Sequence, residues 1–252
     1  LGAKYSLPGF SANLALFRQN FANFQLNTFN GVNFEVSNIQ ACKDGLNGGD
    51  TDASPTTGAC AADRLRPGVV SKGVELELHA SPVRNLSFTS ALTYLDTKFR
   101  RDLVGTGGRP LSPVLFQLPG RQMSNAPEFV VTGSAAWTPP IGDQLRGLVY
   151  LDYRFQSNVN TGSNLDVEKI QPSYMVFNGR LGLSSQDRKW SLELWGQNLF
   201  DRQYFQIGAD KPLMGSGSFR AVAEGMIPSA NKLYVLFPGE PRTFGVTGRV
   251  RF

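Results

Sequence analysis

The only histidine in the chain, His79, stands two residues after Glu77 and two before Ser81 in the segment GVELELHASPV. Imidazole, carboxylate and hydroxyl are the parts of a nucleophilic triad, in which the ring takes the hydroxyl proton and the carboxylate fixes the ring. In an extended segment Glu77 and His79 project to one side. The triad does not assemble from there. Ser81 and Ser87 sit beside a turn at Pro82–Asn85, no third group orients the ring, and an apolar pocket is missing. No catalytic residue is assigned, and the chain is expected not to be an enzyme.

The two cysteines, Cys42 and Cys60, bracket a loop rich in Gly, Asp, Ser and Thr. A bridge between them suits an oxidising compartment, and closing a loop of that length contributes ~3 kcal/mol. Two free thiols are the other reading. Between them DGLNGGDTD, Asp44 to Asp52, offers oxygen ligands at short spacing. It lacks the order of acidic positions of an EF-hand, so a solvated loop is favoured over a calcium site. One histidine and a cysteine pair do not make a metal-ligand cluster, so no metal or cofactor is expected.

The elements that position these groups come from the pattern of the whole chain. Its 252 residues are 41% hydrophobic, with a mean hydropathy of −0.20. A run of ~18 apolar residues, the length of a membrane-spanning helix, is absent. Twenty-five Lys and Arg against 20 Asp and Glu give a net charge of +5. A basic balance can mean nucleic acid, but the cations are scattered and no nucleic-acid partner is expected. The chain starts at Leu1 without a targeting segment, which reads as a processed protein or a piece of a larger one.

Segment after segment alternates with period two, the signature of strands. Near the end, Phe244, Val246, Gly248, Val250 and Phe252 oppose Thr243, Thr247, Arg249 and Arg251. Val74, Leu76, Leu78 and Ala80 oppose Glu75, Glu77 and His79; Val149, Leu151, Tyr153 and Phe155 oppose Tyr150, Asp152 and Arg154. The stretches Leu86–Tyr94, Phe129–Thr138, Tyr174–Ser184 and Ser191–Gln197 behave alike. In residues 11–26 the parity is ambiguous, because Phe17 and Phe21 disagree with Leu14 and Leu16.

Short turns at Pro8–Ser11, Pro82–Asn85, Pro139–Gln144 and Ser185–Arg188 alternate with long polar connections over residues 39–71, 100–126, 157–172 and 206–241. Short connections at one end and long ones at the other are the layout of an outer-membrane barrel. A soluble β-sandwich lacks that asymmetry. Aromatics at strand ends (Tyr94, Phe99, Trp137, Tyr153, Phe155, Trp190, Phe200, Tyr204 and Phe252) fit the two interfacial girdles. The apolar faces then meet lipid and the polar faces line the lumen. About eight full strands follow, with LGAKYSL as the tail of another; bacterial barrels have even strand numbers, which points to a larger barrel.

Two segments carry a more specific signal: GQNLFDRQYF, Gly196 to Phe205, and GEPRTFGVTGRVRF, Gly239 to Phe252. Together they resemble the closing strands of TonB-dependent outer-membrane receptors, in which an NLFD-x-x-Y segment precedes the last long loop and G-x-PR-x-F opens the final strand. Ser71–Phe99, NAPEF at Asn125–Phe129, and LGAKYSL resemble further strands of that family, in order. The resemblance implies an all-β fold: antiparallel transmembrane strands with short periplasmic turns and long extracellular loops, residues 1–252 forming the C-terminal portion of a barrel of about 22 strands. It implies a Gram-negative outer-membrane receptor. Such a receptor binds a scarce solute, a ferric siderophore or other metal chelate or an oligosaccharide, and imports it with TonB energy. The plug domain and TonB box of the family are not in this sequence.

The same resemblance implies roles. Arg109, Phe116 and Arg121 in one long loop, and Phe219, Arg220 and Glu224 in the last, are the candidate ligand-binding residues, since Arg suits carboxylate or phosphate. Glu75, Glu77, Arg154, Arg180, Glu193, Arg249 and Arg251 would face the plug from the lumen. Phe252 would be the mark read by the barrel-assembly machinery. Expected partners are the TonB complex through the plug, that assembly machinery, outer-membrane lipid, and a small-molecule or chelate ligand. A self-contained porin or adhesion barrel is the alternative, and it requires the first and last strands to pair.

Overall fold

A computed structural model describes residues 1–29, 34–43, 59–211 and 234–251. Each alternating segment pairs with the next through a tight turn, and that rule generates most of the architecture. In chain order the strands are β1 (Gly2–Leu7), β2 (Phe10–Phe21), β3 (Phe24–Phe29), β4 (Phe34–Cys42), β5 (Leu65–Pro67), β6 (Val69–Val83), β7 (Leu86–Phe99), β8 (Leu103–Val104) and β9 (Phe129–Trp137). There follow β10 (Pro140–Ile141), β11 (Leu145–Gln156), β12 (Val159–Asn160), β13 (Ile170–Gln171), β14 (Tyr174–Ser185), β15 (Trp190–Gln197), β16 (Phe205–Asp210), β17 (Tyr234–Pro238) and β18 (Thr243–Val250). Among the described residues the main sheet runs β1-β2-β6-β7-β9-β11-β14-β15-β18, antiparallel throughout, with β1 and β18 at its two edges. It is a section of a barrel wall and does not close on itself.

The turn chemistry explains the short end. Each short turn holds one residue at positive φ: Gly9 (78°), Asn85 (66°), Gly142 (60°) and Arg188 (58°). Left-handed backbone matches the twist of the flanking strands in a tight hairpin. The long end is different. Its connections build small sheets of their own: β4 pairs with β3, β5 and β8, β12 with β13, and β16 with β17.

Register settles the ambiguous parity. Leu14 lies opposite Leu76 and Leu16 opposite Val74, so both belong to the apolar face. Phe17 lies opposite Gly73 on the polar face, and its ring covers the space a side chain at Gly73 would fill. The strand-like reading through residue 26 is corrected: β2 ends at Phe21, Asn23 takes φ 53°, and β3 starts a separate sheet. Two aromatics expected in the girdles turn the other way. Phe99 is buried with Phe24 against it at 6.2 Å, and Tyr204 stacks on Tyr174 at 4.4 Å. The apolar-face aromatics at the long end include Tyr94, Phe129, Tyr153, Phe155 and Phe177, with Phe200 edge-on to Phe177.

Leu26, Ile39, Phe99, Leu103, Leu115 and Phe116 belong to one buried cluster at the long-connection end. The sheet itself keeps Leu151, Leu181, Leu192 and Val246 exposed on its apolar face.

Candidate functional site

The polar face of β11, β14 and β15 carries Asp152, Arg154, Gln156, Tyr174, Asn178, Arg180, Glu193 and Gln197, placed there by alternation and by the register Asp152 to Asn178 and Gln156 to Tyr174. Where this face reaches the long connections it sinks into a cavity of about 500 Å³. Arg154, Gln156, Tyr174, Asn178 and Gln197 form its wall, and Asn125, Asn198, Tyr204, Gln206 and Glu240 close it from the connections. A second recess of about 240 Å³ continues along the face past Asp152, Arg180, Glu193 and Arg249, sharing Asn178 and Gln197 with the first.

The electrostatics along this strip are uneven. Arg249 donates to Glu193 at 2.6 Å, and Asn178 to Asp152 at 2.7 Å. Arg154 makes one hydrogen bond, to the neutral Gln156 amide at 3.1 Å, and Arg180 lies over the Tyr150 ring at 5.6 Å. Among the described residues neither has a carboxylate partner, so most guanidinium N–H groups of Arg154 remain available to an acceptor. Glu77 takes a hydrogen bond from Asn13 at 3.3 Å. The strip is therefore acidic on β6 and basic on β11 and β14, with amides and phenols between them. Such a surface presents donors and acceptors suited to oxygen-rich or anionic groups.

The two sequence motifs that carry the family signal interlock here. Asn198 is buried, and its Nδ2 donates to the carbonyls of Arg202 and Glu240, both at 3.0 Å. Its Oδ1 accepts from the Arg202 N–H at 2.8 Å, and its own N–H donates to Asn178 Oδ1 at 2.9 Å. Tyr204 fills the space over Gly239, where any side chain would collide with its ring. One residue thereby ties residues 198–205 to residues 239–242 through its side chain, and to the wall of the cavity through its backbone N–H.

A second polar cluster joins three connections. Lys169 is buried in an ion pair with Asp210 and lies 3.6 Å from Asp166. Asn164 Nδ2 donates to Asp166 at 3.0 Å and to Asp210 at 3.1 Å, and Gln117 Nε2 donates to Asp166 at 3.0 Å. Burial pushes the Asp166 carboxyl up to about 6; the Lys169 charge opposes this, and Asp210 and Glu168 add to it. The Tyr234 phenol is also raised, first by burial and then by those carboxylates.

The sequence-derived residues distribute as follows. Glu75, Glu77, Arg154, Arg180, Glu193 and Arg249 all fall on the polar face. Arg251 follows β18, its N–H bonded to the Lys189 carbonyl. Phe116 is 0% exposed inside the loop core, so it supports the loops and is withdrawn as a ligand contact. Arg109 is exposed, and Arg121 lines a separate cavity with Lys98 and Glu128. Phe219, Arg220, Glu224, Phe252 and the Asp44–Asp52 loop lie outside the described residues. Cys42 and Cys60 form a disulfide with Cα atoms 5.7 Å apart. Ser81 Oγ lies 3.3 Å from His79 Nε2 on an exposed face, with Glu77 engaged by Asn13. No group of three metal-ligating side chains converges among the described residues. Gln156, Tyr174, Asn178, Gln197 and Glu240 were missed as site residues, because only register and loop docking bring them together.

Comparison with known proteins agrees with this architecture. A family model described as TonB dependent receptor-like, beta-barrel matches residues 1–199. No curated protein matches the chain in sequence. Among solved structures, the chain is similar to the ferric yersiniabactin uptake receptor FyuA from Yersinia pestis, at TM-score 0.68 and 15% identity over 100% of this chain and 29% of that one. It is similar to the siderophore receptor PiuA from Acinetobacter baumannii (TM-score 0.59, 17% identity, 98% of this chain, 27% of that one). It is also similar to the ferric-catecholate import receptor Fiu from K12 E. coli (TM-score 0.59, 16% identity, 100% and 27%). The chain thus spans less than a third of the length of each of these structures.

Proposed function

The chain belongs to the TonB-dependent receptor family, and from that premise we propose that residues 1–252 are the C-terminal part of an outer-membrane receptor barrel that captures a scarce solute and admits it with TonB energy. The solute class favoured is a ferric siderophore or similar metal chelate, as the printed names of the similar structures describe for those proteins. An oligosaccharide is the next class. The apolar face meets lipid, the polar face lines the lumen, the short turns are periplasmic and the long connections extracellular.

One observation carries the proposal: a polar cavity of about 500 Å³ at the long-connection end of the lumen wall, with Arg154 lacking a carboxylate partner among the described residues. An anionic chelate descending from the loops would meet that guanidinium first. Below it, Arg180, Glu193 and Arg249 offer a mixed-charge surface to the plug through which TonB would act. The assembly machinery would read Phe252. The self-contained porin or adhesion barrel is not supported, since β1 and β18 are opposite edges of the sheet.

The test uses the full-length receptor, purified in detergent and titrated with a panel of ferric chelates, together with growth on each chelate with and without TonB. A chelate that binds and feeds cells only when TonB is present is the expected result. Arg154→Ala should weaken its binding about tenfold, the scale of one charge-assisted hydrogen bond. Binding of neutral oligosaccharides alone would move the substrate class. Ion conductance without binding would favour a porin.

A further inference from the structure

We propose that Lys169 and Asp210 condense into an amide, a side-chain cross-link between the connections 157–172 and 206–241, with Asp166 carrying the protons. The bond would tie the cap together whatever solute the receptor imports. An exposed lysine and aspartate stay ionic because water solvates both. Here water is shut out: the side chains of Lys169, Asp210 and Asp166 are 2%, 4% and 1% exposed. The lysine chain lies in a slot between two backbones. It occupies the space that a side chain at Gly162 would need and crowds the one at Gly208. Its Nζ donates to Asn164 Oδ1 at 2.8 Å and stands 5.4 Å from the centre of the Tyr234 ring.

Lys169 Nζ touches Asp210 Oδ1. The contact falls outside hydrogen-bond geometry, so among the described residues this buried oxygen takes no hydrogen bond. A stable buried ion pair is held by N–H groups aimed at the oxygens; here the nitrogen is set against the carboxyl without that bond. The other oxygen, Oδ2, accepts from Asn164 Nδ2 at 3.1 Å, and the same Nδ2 donates to Asp166 at 3.0 Å. Asn164 thereby fixes both carboxyls relative to the amine. Two carboxylates share one ammonium, and a sealed site disfavours the charge left over. Asp166 Oδ2 lies 3.6 Å from Nζ. Burial, opposed by Lys169 and reinforced by Asp210 and Glu168, raises its carboxyl to about 6, so it can both take and return a proton near neutral pH.

The reaction balances as a condensation. Asp166 takes one ammonium proton, and the freed lone pair attacks Asp210 Cγ. A C–N bond forms and a C–O bond breaks. Asp166 returns its proton to the departing oxygen, which leaves with a second amine proton as water. No oxidant or cofactor enters. Two buried charges become one neutral amide, which removes the desolvation cost of the pair. Fixed contact replaces the rare encounter that makes the same reaction negligible in free solution.

The experiment takes the full-length receptor from purified membranes, reduces its disulfide, denatures it and measures the intact mass. A chain lighter than its sequence by one water is expected. Trypsin should then leave Lys169 uncut and yield one branched peptide joining residues 155–180 to residues 203–220. Asp166→Asn keeps both reacting groups and should slow the bond on the order of 100-fold, the scale of general acid–base help, so that unlinked chain accumulates. Asp210→Asn should still link, with ammonia leaving in place of water, and should reach the same final mass as the wild type. Lys169→Arg and Asp210→Ala should never link. Full mass with ordinary cleavage after Lys169 in the wild type overturns the proposal and leaves an ion pair only. Undiminished linkage in Asp166→Asn overturns the proton-carrying role, and fragment ions that place the link on a residue other than Asp210 overturn the pairing. The wild-type mass decides the matter by itself, so a variant that fails to fold, recognised by its heat-modifiable mobility on a gel, does not blunt the test.

Discussion

The barrel wall and the cap built by the long connections obey opposite solvent rules within one chain. Along the wall, Val149, Leu151, Leu181, Leu192 and Val246 are exposed while the hydrogen-bonding side chains turn inward to one another. In the cap, Leu103, Leu115, Phe116 and Leu118 are fully buried, Lys169, Asp166 and Asp210 are buried against one another, and a disulfide joins β4 to residue 60. The wall satisfies its backbone by strand pairing and, in the membrane placement proposed above, gives its apolar surface to lipid. The cap must exclude water from its own apolar side chains, as any small soluble domain does. The same aromatic residue type therefore does different work depending on which side of Tyr94 and Phe129 it lies.

Single substitutions can break this contrast. Phe116→Ala should cost the cap about 3–5 kcal/mol through the cavity it leaves, yet leave the wall assembled. Limited proteolysis of whole cells would show new cleavage in residues 100–128, while heat-modifiable mobility of the barrel stays intact; loss of both would mean that the cap and wall fold as one unit. Leu151→Arg should cost about 2–4 kcal/mol at mid-bilayer, whereas Leu148→Arg, on the lumen side of the same strand, should cost far less. Equal losses of folded barrel in a urea titration would contradict the assignment of faces. Asn198→Ala leaves carbonyls of Arg202 and Glu240 without their donor and should cost about 1–3 kcal/mol, read as faster amide exchange at residues 199–205 and 239–242. The smallest effect is set by pH. Asp166 is held near 6 against an ordinary 3.8, so the docked cap takes up a proton more readily than the opened one. That contribution is complete below about pH 4 and disappears as pH rises through 6. Amide exchange over residues 159–171, corrected for intrinsic rate, should show more protection at acid pH, and Asp166→Asn should flatten the trend.

The wall was legible in the sequence because an apolar face and a polar face on one sheet enforce period two, and Glu75, Arg154, Glu193 and Arg249 fell on the face that alternation assigned them. It failed where a local exception was needed. Phe17 sits among polar residues because Gly73 opposite leaves room for its ring, and nothing in the order of residues announces a register. The β3–β4 hairpin was hidden because its alternation runs on from β2 past the turn at Asn23. Phe99, Phe116 and Tyr204 carry aromatic side chains at strand ends or in loops, and composition reads them alike whether they meet lipid, ligand or a core. Of the cavity residues, Arg154, Asn178 and Gln197 fell on the polar face by alternation; Asn198, Tyr204 and Glu240 enter it by docking of distant segments, a contact with no periodic trace.

The knot around Asn198 has a consequence for how such a receptor changes over time. Residues 202 and 240 are bound to the same amide, so the long excursion between them leaves the wall and rejoins it at one fixed point. Closing a longer loop on fixed ends adds free energy only logarithmically with its length. Insertions, deletions or wholesale replacement within 206–238 would then leave the strand register of β15 and β18 untouched. The excursion can serve as an exchangeable cassette: new recognition surfaces can be tried on a wall that never has to refold differently.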